Sequence, residues 1–392
     1  MDVADLRIAI FTGNYNYVRD GANQALNRLV DYLRRNGAAV RVYSPTVSDP
    51  ALPPNTEVVD IPALPVPGRG EYRAPMMIPP RVKRDIASFR PNIFHIGSPE
   101  MLGHRAVTLA HKLNLPVVAS VHTRFETYPR YYGLAFLEPL VIVLLRRLYR
   151  RCNAIFAPSD SMAQLLRDQR MNYDVGIWSR GIDREVFNPE RRHMEWRRSL
   201  GIEDDMPVVG FVGRLVMEKA LDVFADSVDR LERRGVQHKV LVVGDGPARE
   251  WFEKRLPRAI FAGFCEGPEL ARAVASMDML FNPSVTETFG NVTLEAMAAG
   301  LPVVAARATG SESLVSHGVT GRLVRPGAFD EFAESLAYYC QNKEARLAAG
   351  KAGWDASQRY GWDEVNGELA AGYLRVIRQH HGGRQPRQSR VP

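Results

Sequence analysis

Residues 6–44 read LRIAIFTGNYNYVRDGANQALNRLVDYLRRNGAAVRVYS. Residues 6–12 are a short apolar run that ends in a glycine loop, the pattern of a strand. Within 22–36, Leu26, Leu29, Val30 and Leu33 recur at i, i+3, i+4 and i+7, which lines them along one helix face. Gly37 stands where a C-terminal cap belongs. Residues 40–44 are strand-like again. Strand, helix and strand in that order predict a parallel βαβ unit.

The alternation continues outward. Strands are expected at 93–96, 116–121 and 154–157, with a helix near 106–113 and a long helical stretch after 121. Val117-Val118-Ala119-Ser120-Val121 is apolar without alternation, as in a strand covered on both faces. Residues 62–80 are rich in proline and glycine and read as an excursion loop. A second series follows Pro189, with strands at 207–212, 239–243, 259–262, 279–281 and 302–305 and helices at 221–233, 270–276 and 292–299. The fold class is therefore α/β, with two Rossmann-like doubly wound parallel sheets facing a cleft. Ligands are expected at the carboxyl ends of the strands. The domains read as 1–187 and 188–362, with a last helix at 363–379 that packs back on the first. Residues 380–392 read as a disordered polar tail.

The 392 residues suit two domains, and 45% hydrophobic with 24% charged residues argues against a largely disordered chain. Cys152, Cys265 and Cys340 lie far apart, which excludes a disulfide framework and a cysteine zinc site and fits a reducing compartment. The start, Met1-Asp2-Val3-Ala4-Asp5, lacks the basic region of a secretory signal. No run reaches the ~18 apolar residues of a membrane span. A cytoplasmic protein is expected, soluble or peripheral on the inner face of the membrane. Net charge is +7: residues 1–190 hold 24 Lys+Arg against 18 Asp+Glu, and 191–392 hold 27 against 26. A basic first half suits an acidic membrane or substrate, or is a solvated excess. Nucleic acid is disfavoured, because no basic stretch is interleaved with aromatics and no finger or RNP motif occurs.

The densest chemical cluster is 281–300, FNPSVTETFGNVTLEAMAAG. A strand ends in Pro-Ser, Glu287 follows in the loop, and Gly290-Asn291 opens a helix whose free N–H groups can bind phosphate or sugar oxygens. Glu295 lies a turn further along. The two carboxylates could do acid–base work, or bind hydroxyls of a sugar and a ribose, or favour the helix dipole. Residues 210–219, GFVGRLVMEK, again end a strand and bring Arg214 and Lys219 to one loop, where both could face a diphosphate. Val243-Gly244-Asp245-Gly246-Pro247 is a third strand-end turn. In the first half, His95 and His122 end strands, and Arg124, Tyr128 and Arg130 follow in a loop suited to an anionic or amphipathic acceptor. Residues 134–145 are apolar and run into Arg146, Arg147, Arg150 and Arg151, the pattern of a monotopic membrane contact or of a buried helix with a basic end. There is no P-loop, no G-x-S-x-G elbow and no D-x-D pair for a metal beside a diphosphate.

With these motifs in order, the chain resembles the retaining glycosyltransferases of family 4 (group 1) on the GT-B fold, over 7–373. The likeness is carried by Glu287 and Glu295 in E-x7-E, the Phe289-Gly290-Asn291 turn, the G-R-x-x-x-E-K loop, and Gly318-Val319-Thr320-Gly321-Arg322-Leu323-Val324. It implies a hexosyltransferase in which Arg214 and Lys219 hold the donor diphosphate. Glu287 would contact the transferred sugar with the backbone of Phe289, Gly290 and Asn291, and Glu295 would hold the ribose. His122 would lie beside the sugar, Gly21 near the phosphates, and Asp245 on the donor side. The leaving phosphate oxygen would accept the acceptor's proton in a front-face reaction, with no metal and no cofactor. Trp178-Ser179-Arg180-Gly181-Ile182-Asp183 is similar to the lipid mannosyltransferase-like branch, which implies GDP-mannose or a UDP-sugar as donor. The implied acceptor is a membrane glycolipid or a polysaccharide, with Arg124, Tyr128, Arg130, Arg146 and Arg147 toward it or toward an anionic membrane. Asp20-Gly21-Ala22, Ala220 and Gly310-Ser311 depart from the family's usual glycines. An epimerase on the same plan and a non-catalytic nucleotide-sugar-binding subunit are the rival readings.

Overall fold

The computed structural model describes residues 1–18, 21–66, 69–127 and 134–382. The chain forms two compact units, Met1–Ser179 together with the chain from Asp363, and Arg180–Trp362. The division falls ahead of residue 187. Ile182 makes a parallel bridge with Gly361 and donates its N–H to the Tyr360 carbonyl at 2.7 Å, which ties 180–187 into the second unit.

In the first unit, β1 (Arg7–Phe11), β2 (Ala39–Ser44) and β3 (Glu57–Asp60) are followed by a separate antiparallel ribbon of β4 (Ala63–Val66) and β5 (Arg69–Pro75). Then come β6 (Ile93–Ile96), β7 (Val117–Ser120), β8 (Ala154–Ala157) and β9 (Val175–Ile177). The parallel sheet has the order β3-β2-β1-β6-β7-β8-β9, so its direction of build-out reverses at β1 and β6. The helix Gly21–Arg35 buries Leu26, Leu29, Val30 and Leu33, the stripe read from sequence. Each such side chain contributes on the order of 2 kcal/mol on burial, so packing rather than propensity holds the helix. Gly37 takes φ +83° and closes it. The ribbon corrects the expected loop at 62–80. A two-stranded ribbon leaves half of its N–H groups unpaired in any case, so Pro65 and Pro75 are tolerated. The last helix, Trp362–Gly382, outruns the expected 363–379 and belongs to the first unit from Asp363 on. The expected tail beyond Gly382 lies outside the described residues.

The second unit holds β10 (Val208–Val212), β11 (Lys239–Val243), β12 (Ile260–Gly263), β13 (Met279–Asn282), β14 (Val303–Ala306) and β15 (Gly321–Val324). The order is β12-β11-β10-β13-β14-β15, all parallel, with the reversal between β10 and β13. β10, β11 and β14 are apolar because helices cover both faces. Helices Phe329–Gln341 and Lys343–Ser357 were not read from sequence.

Candidate functional site

The loops after β10 and β13 leave neighbouring strands at the reversal of the second sheet, the place where open α/β sheets bind ligands. The β10 loop is fixed to the β11 loop by backbone: Gly213 N–H donates to the Val243 carbonyl at 3.0 Å and Leu215 N–H to the Asp245 carbonyl at 2.9 Å. This close approach is why Gly244 is glycine. A Cβ there would stand 1.9 Å from the Gly213 oxygen, at φ +138°. The glycines of 243–247 thus serve chain packing. Leu215 is buried and its neighbour Arg214 is exposed, its side chain with no hydrogen bond or ion pair among the described residues. Asp245 is exposed too; its carboxylate accepts from Gly246 N–H at 2.7 Å and lies 3.7 Å from Arg249.

A short turn, Met217–Lys219, ends at Ala220 with φ +56°. This left-handed conformation favours glycine, which accounts for the residue usual in the family. Lys219 Nζ donates to Glu287 Oε1, joining the β10 loop to the β13 loop. The Glu287 backbone is held as firmly: its carbonyl accepts from Gly310 N–H at 2.9 Å and from Thr309 Oγ1 at 2.6 Å. Gly310 permits this, since a Cβ would meet the Phe289 carbonyl oxygen at 2.6 Å. Phe289 is buried and packs edge-on against Tyr360 at 5.8 Å, so its backbone rather than its ring faces outward. Gly290 at φ +99° opens the helix Asn291–Ala298 with no side-chain cap, leaving first-turn N–H groups for a ligand. On that helix Glu295 keeps some contact with solvent, yet burial pushes its carboxyl up to about 7. No hydrogen-bond partner for it occurs among the described residues. An unpaired, desolvated carboxyl is a group that awaits hydroxyl donors.

In the first unit, Gly21 begins the helix Gly21–Arg35. His122 lies two residues past β7 and shares a hydrogen bond of 2.8 Å between Nε2 and Ser120 Oγ. The Trp178 ring packs edge-on against it at 5.3 Å. His95 is fully buried, and burial pushes its ring down to about 3, so it is a neutral structural group. Arg124 is occupied by the buried Glu126 at 2.8 Å, and Arg146 by the Gln169 carbonyl at 3.0 Å. Arg147 is exposed with no such partner among the described residues. Tyr128 and Arg130 lie outside them. The structure thus brings Arg214, Lys219, Asp245, Glu287, Phe289, Gly290, Asn291 and Glu295 to the strand ends of one unit, and Gly21, His122, Arg124, Arg146 and Arg147 belong to the other.

Two family models match the chain: Glycosyltransferase Family 4 over residues 19–186 and Glycosyl transferases group 1 over residues 206–342. A sulfoquinovosyl transferase of Arabidopsis thaliana is 32% identical over 366 residues, covering 91% of this chain and 71% of the relative. A GDP-mannose-dependent alpha-mannosyltransferase of Mycolicibacterium smegmatis is 33% identical over 330 residues, covering 83% and 86%. The chain belongs to the family 4 glycosyltransferases. Among solved structures, the sucrose-phosphate synthase of Thermosynechococcus elongatus superposes with a TM-score of 0.77 at 19% identity, covering 95% and 99% of the two chains. Anabaena HepE in complex with UDP-glucose gives 0.69 at 19%, covering 94% and 99%. Both support the GT-B fold.

This family 4 glycosyltransferase uses a nucleotide sugar, and three features stand at the strand ends of its second unit. There is an exposed cation in Arg214, a Lys219–Glu287 pair that can open toward charge and hydroxyls, and a helix start for an anion. Sequence reading missed Glu100, at the carboxyl end of β6. Its carboxyl is pushed up to about 7 by burial, and its Oε2 has no hydrogen-bond partner among the described residues. It sits so close to Gly13 that a Cβ there would stand 1.8 Å from Oε2. The signal was present, since an acid in the loop after a strand and immediately before the helix Met101–Leu113 is well placed for a ligand.

Proposed function

We propose that this enzyme moves a hexose from GDP-mannose or a UDP-sugar to a hydroxyl on a membrane glycolipid, with retention at the sugar and without a metal. The observation that carries this reading is the Lys219–Glu287 pair, which links the loop suited to a diphosphate with the loop suited to a sugar. Arg214 and Lys219 would hold the diphosphate, Glu287 and the start of the Asn291 helix the hexose, and Glu295 the ribose. As the diphosphate departs, its oxygen takes the proton of the acceptor hydroxyl while that hydroxyl's oxygen attacks from the same face. The cations stabilise the negative charge that develops, which is worth roughly 10²–10³ in rate per donor. His122 would supply a polar group on the acceptor side.

A glycolipid acceptor is favoured by the helix Glu138–Tyr149. One side buries Leu145, Leu148 and Tyr149. On the other, Leu140 is 55% exposed, Val143 54% and Leu144 49%, with Arg147 one turn on, and Phe136 just ahead of the helix is 74% exposed. No helix among the described residues is long and apolar enough to cross a membrane. An apolar stripe bordered by arginine suits a helix lying at an anionic lipid surface on the cytoplasmic side.

The test is a panel of GDP- and UDP-sugars with the purified enzyme in excess EDTA. A true donor at 100-fold its Kd stabilises the fold by ~2.7 kcal/mol and raises the melting midpoint. With a glycolipid acceptor, the product should keep the donor's anomeric configuration. No shift with any sugar nucleotide, an inverted product, or activity restored only by magnesium would each overturn the corresponding part.

A further inference from the structure

Four side chains of the first unit form a single hydrogen-bonded row. Tyr373 Oη meets His95 Nδ1 at 2.5 Å, His95 Nε2 meets Ser120 Oγ at 2.8 Å, and Ser120 Oγ meets His122 Nε2 at 2.8 Å. Tyr373 and His95 are fully buried and Ser120 is 2% exposed. Trp178 packs edge-on against both imidazoles, at 5.9 Å and 5.3 Å.

A neutral imidazole offers one donor nitrogen and one acceptor nitrogen, and the fully buried His95 is neutral. The row can therefore run continuously in two directions; the remaining arrangement, with Ser120 Oγ accepting from both rings, leaves the buried Ser120 hydrogen without an acceptor among the described residues. In the first, Tyr373 O–H donates to His95 Nδ1, His95 Nε2–H donates to Ser120, and Ser120 O–H donates to His122 Nε2. His122 then carries its proton on Nδ1. In the second, every donor is reversed and Tyr373 Oη accepts. Its own hydrogen would then face the interior with no acceptor, because His95 is the only partner of that hydroxyl among the described residues. A buried hydroxyl left unsatisfied disfavours the second direction by roughly tenfold or more.

We propose that Tyr373, acting through His95 and Ser120, fixes His122 in the Nδ1–H tautomer, so that the nitrogen outside the row is a hydrogen-bond donor and not a base. This deepens the reading of His122 as a site residue and rests on it. Tyr373 is a positioning residue that touches no reacting atom. The assignment agrees with a reaction in which the leaving phosphate oxygen, not a side chain, takes the acceptor's proton. A proton on Nε2 would leave Ser120 accepting from two rings, with its own hydrogen turned out of the row.

The experiment is long-range proton–nitrogen correlation NMR of the full-length, nitrogen-15-histidine-labelled protein, with the His122 signals assigned by their loss in His122→Asn. The expected wild-type result is a protonated Nδ1 and a bare Nε2 on His122. Tyr373→Phe should give a mixed or Nε2–H ring at His122 and lower kcat roughly tenfold at unchanged donor KM. Ser120→Ala should free His122 in the same way while His95 keeps its proton on Nε2, and it decides the matter if Tyr373→Phe does not fold. An Nε2–H ring at His122 in the wild type, or an unchanged tautomer in the variants, would overturn the proposal. The tautomer is read without turnover. A correct tautomer in a protein that binds no sugar nucleotide would instead sink the proposed function and leave the row intact.

Discussion

The two units share one architecture and treat the ends of their strands in opposite ways. In the second, the carboxyl ends of β10 and β13 carry charged side chains: Arg214 exposed, Lys219 and Glu287 paired, and, on the helix that follows, Glu295 without a hydrogen-bond partner among the described residues. In the first, the end of β7 carries a histidine tethered to a row that runs into the interior. A parallel sheet offers both units the same backbone geometry. The side chains decide whether that end receives a charged group or orients a histidine.

The largest effect is expected where the charge is exposed. Arg214→Ala should lower turnover by ~10²–10³ with the fold unchanged, as steady-state rates with the true donor will read. Near-normal turnover would remove the second unit's claim to be the charged half.

Next is the sign of a pH effect. The Glu295 carboxyl sits at about 7 in the folded protein, against an ordinary value of 4.5. The folded state therefore holds the proton more tightly than the unfolded chain. Glu295 costs no stability below about pH 4.5, and its cost grows as pH rises toward 7. Glu295→Gln should thus be more stable than the wild type at pH 8 by on the order of 2–3 kcal/mol and equal to it at pH 4, by denaturant titration. It should bind donor more weakly at both. Equal stability at pH 8 would mean that the carboxyl is not desolvated.

Smaller still, and on the first unit, replacing Leu140 and Val143 by Asp should weaken sedimentation with anionic vesicles by about tenfold or more, while leaving the melting midpoint within a few degrees. Unchanged vesicle binding would take the exposed stripe out of the acceptor reading. The smallest effect concerns Ala220, whose left-handed backbone glycine adopts freely. Ala220→Gly should stabilise the second unit by about 1 kcal/mol, and a loss of stability would show that the Ala220 methyl is needed.

The sheets were legible because β1, β7 and β10 are apolar runs separated by helices with an i, i+3, i+4 stripe. The charged half of the site was legible because each of its loops follows a strand and keeps its residues close in sequence. Tyr373, His95 and Ser120 were not, since no local pattern links residues so far apart. From the sequence His95 shows only as a residue at a strand end, without the row it belongs to. The helix Lys343–Ser357 was hidden for another reason. It contains Gly350 and Gly353, which disfavour helix, but a Cβ at Gly350 would lie 2.1 Å from the Gly300 oxygen, so close packing overrides propensity there.

The return of the final helix to the first unit has a consequence for synthesis. The half that leaves the ribosome first cannot finish its own interior until the helix Trp362–Gly382 has been made. Until then His95 waits for the Tyr373 hydroxyl, and Trp178 for the Asn366 side chain that accepts its indole N–H at 3.1 Å. A nascent chain halted after Trp362 would hold a complete second unit beside an unfinished first one. Tags or truncations at the C-terminus should therefore be felt first in the half encoded at the opposite end of the message.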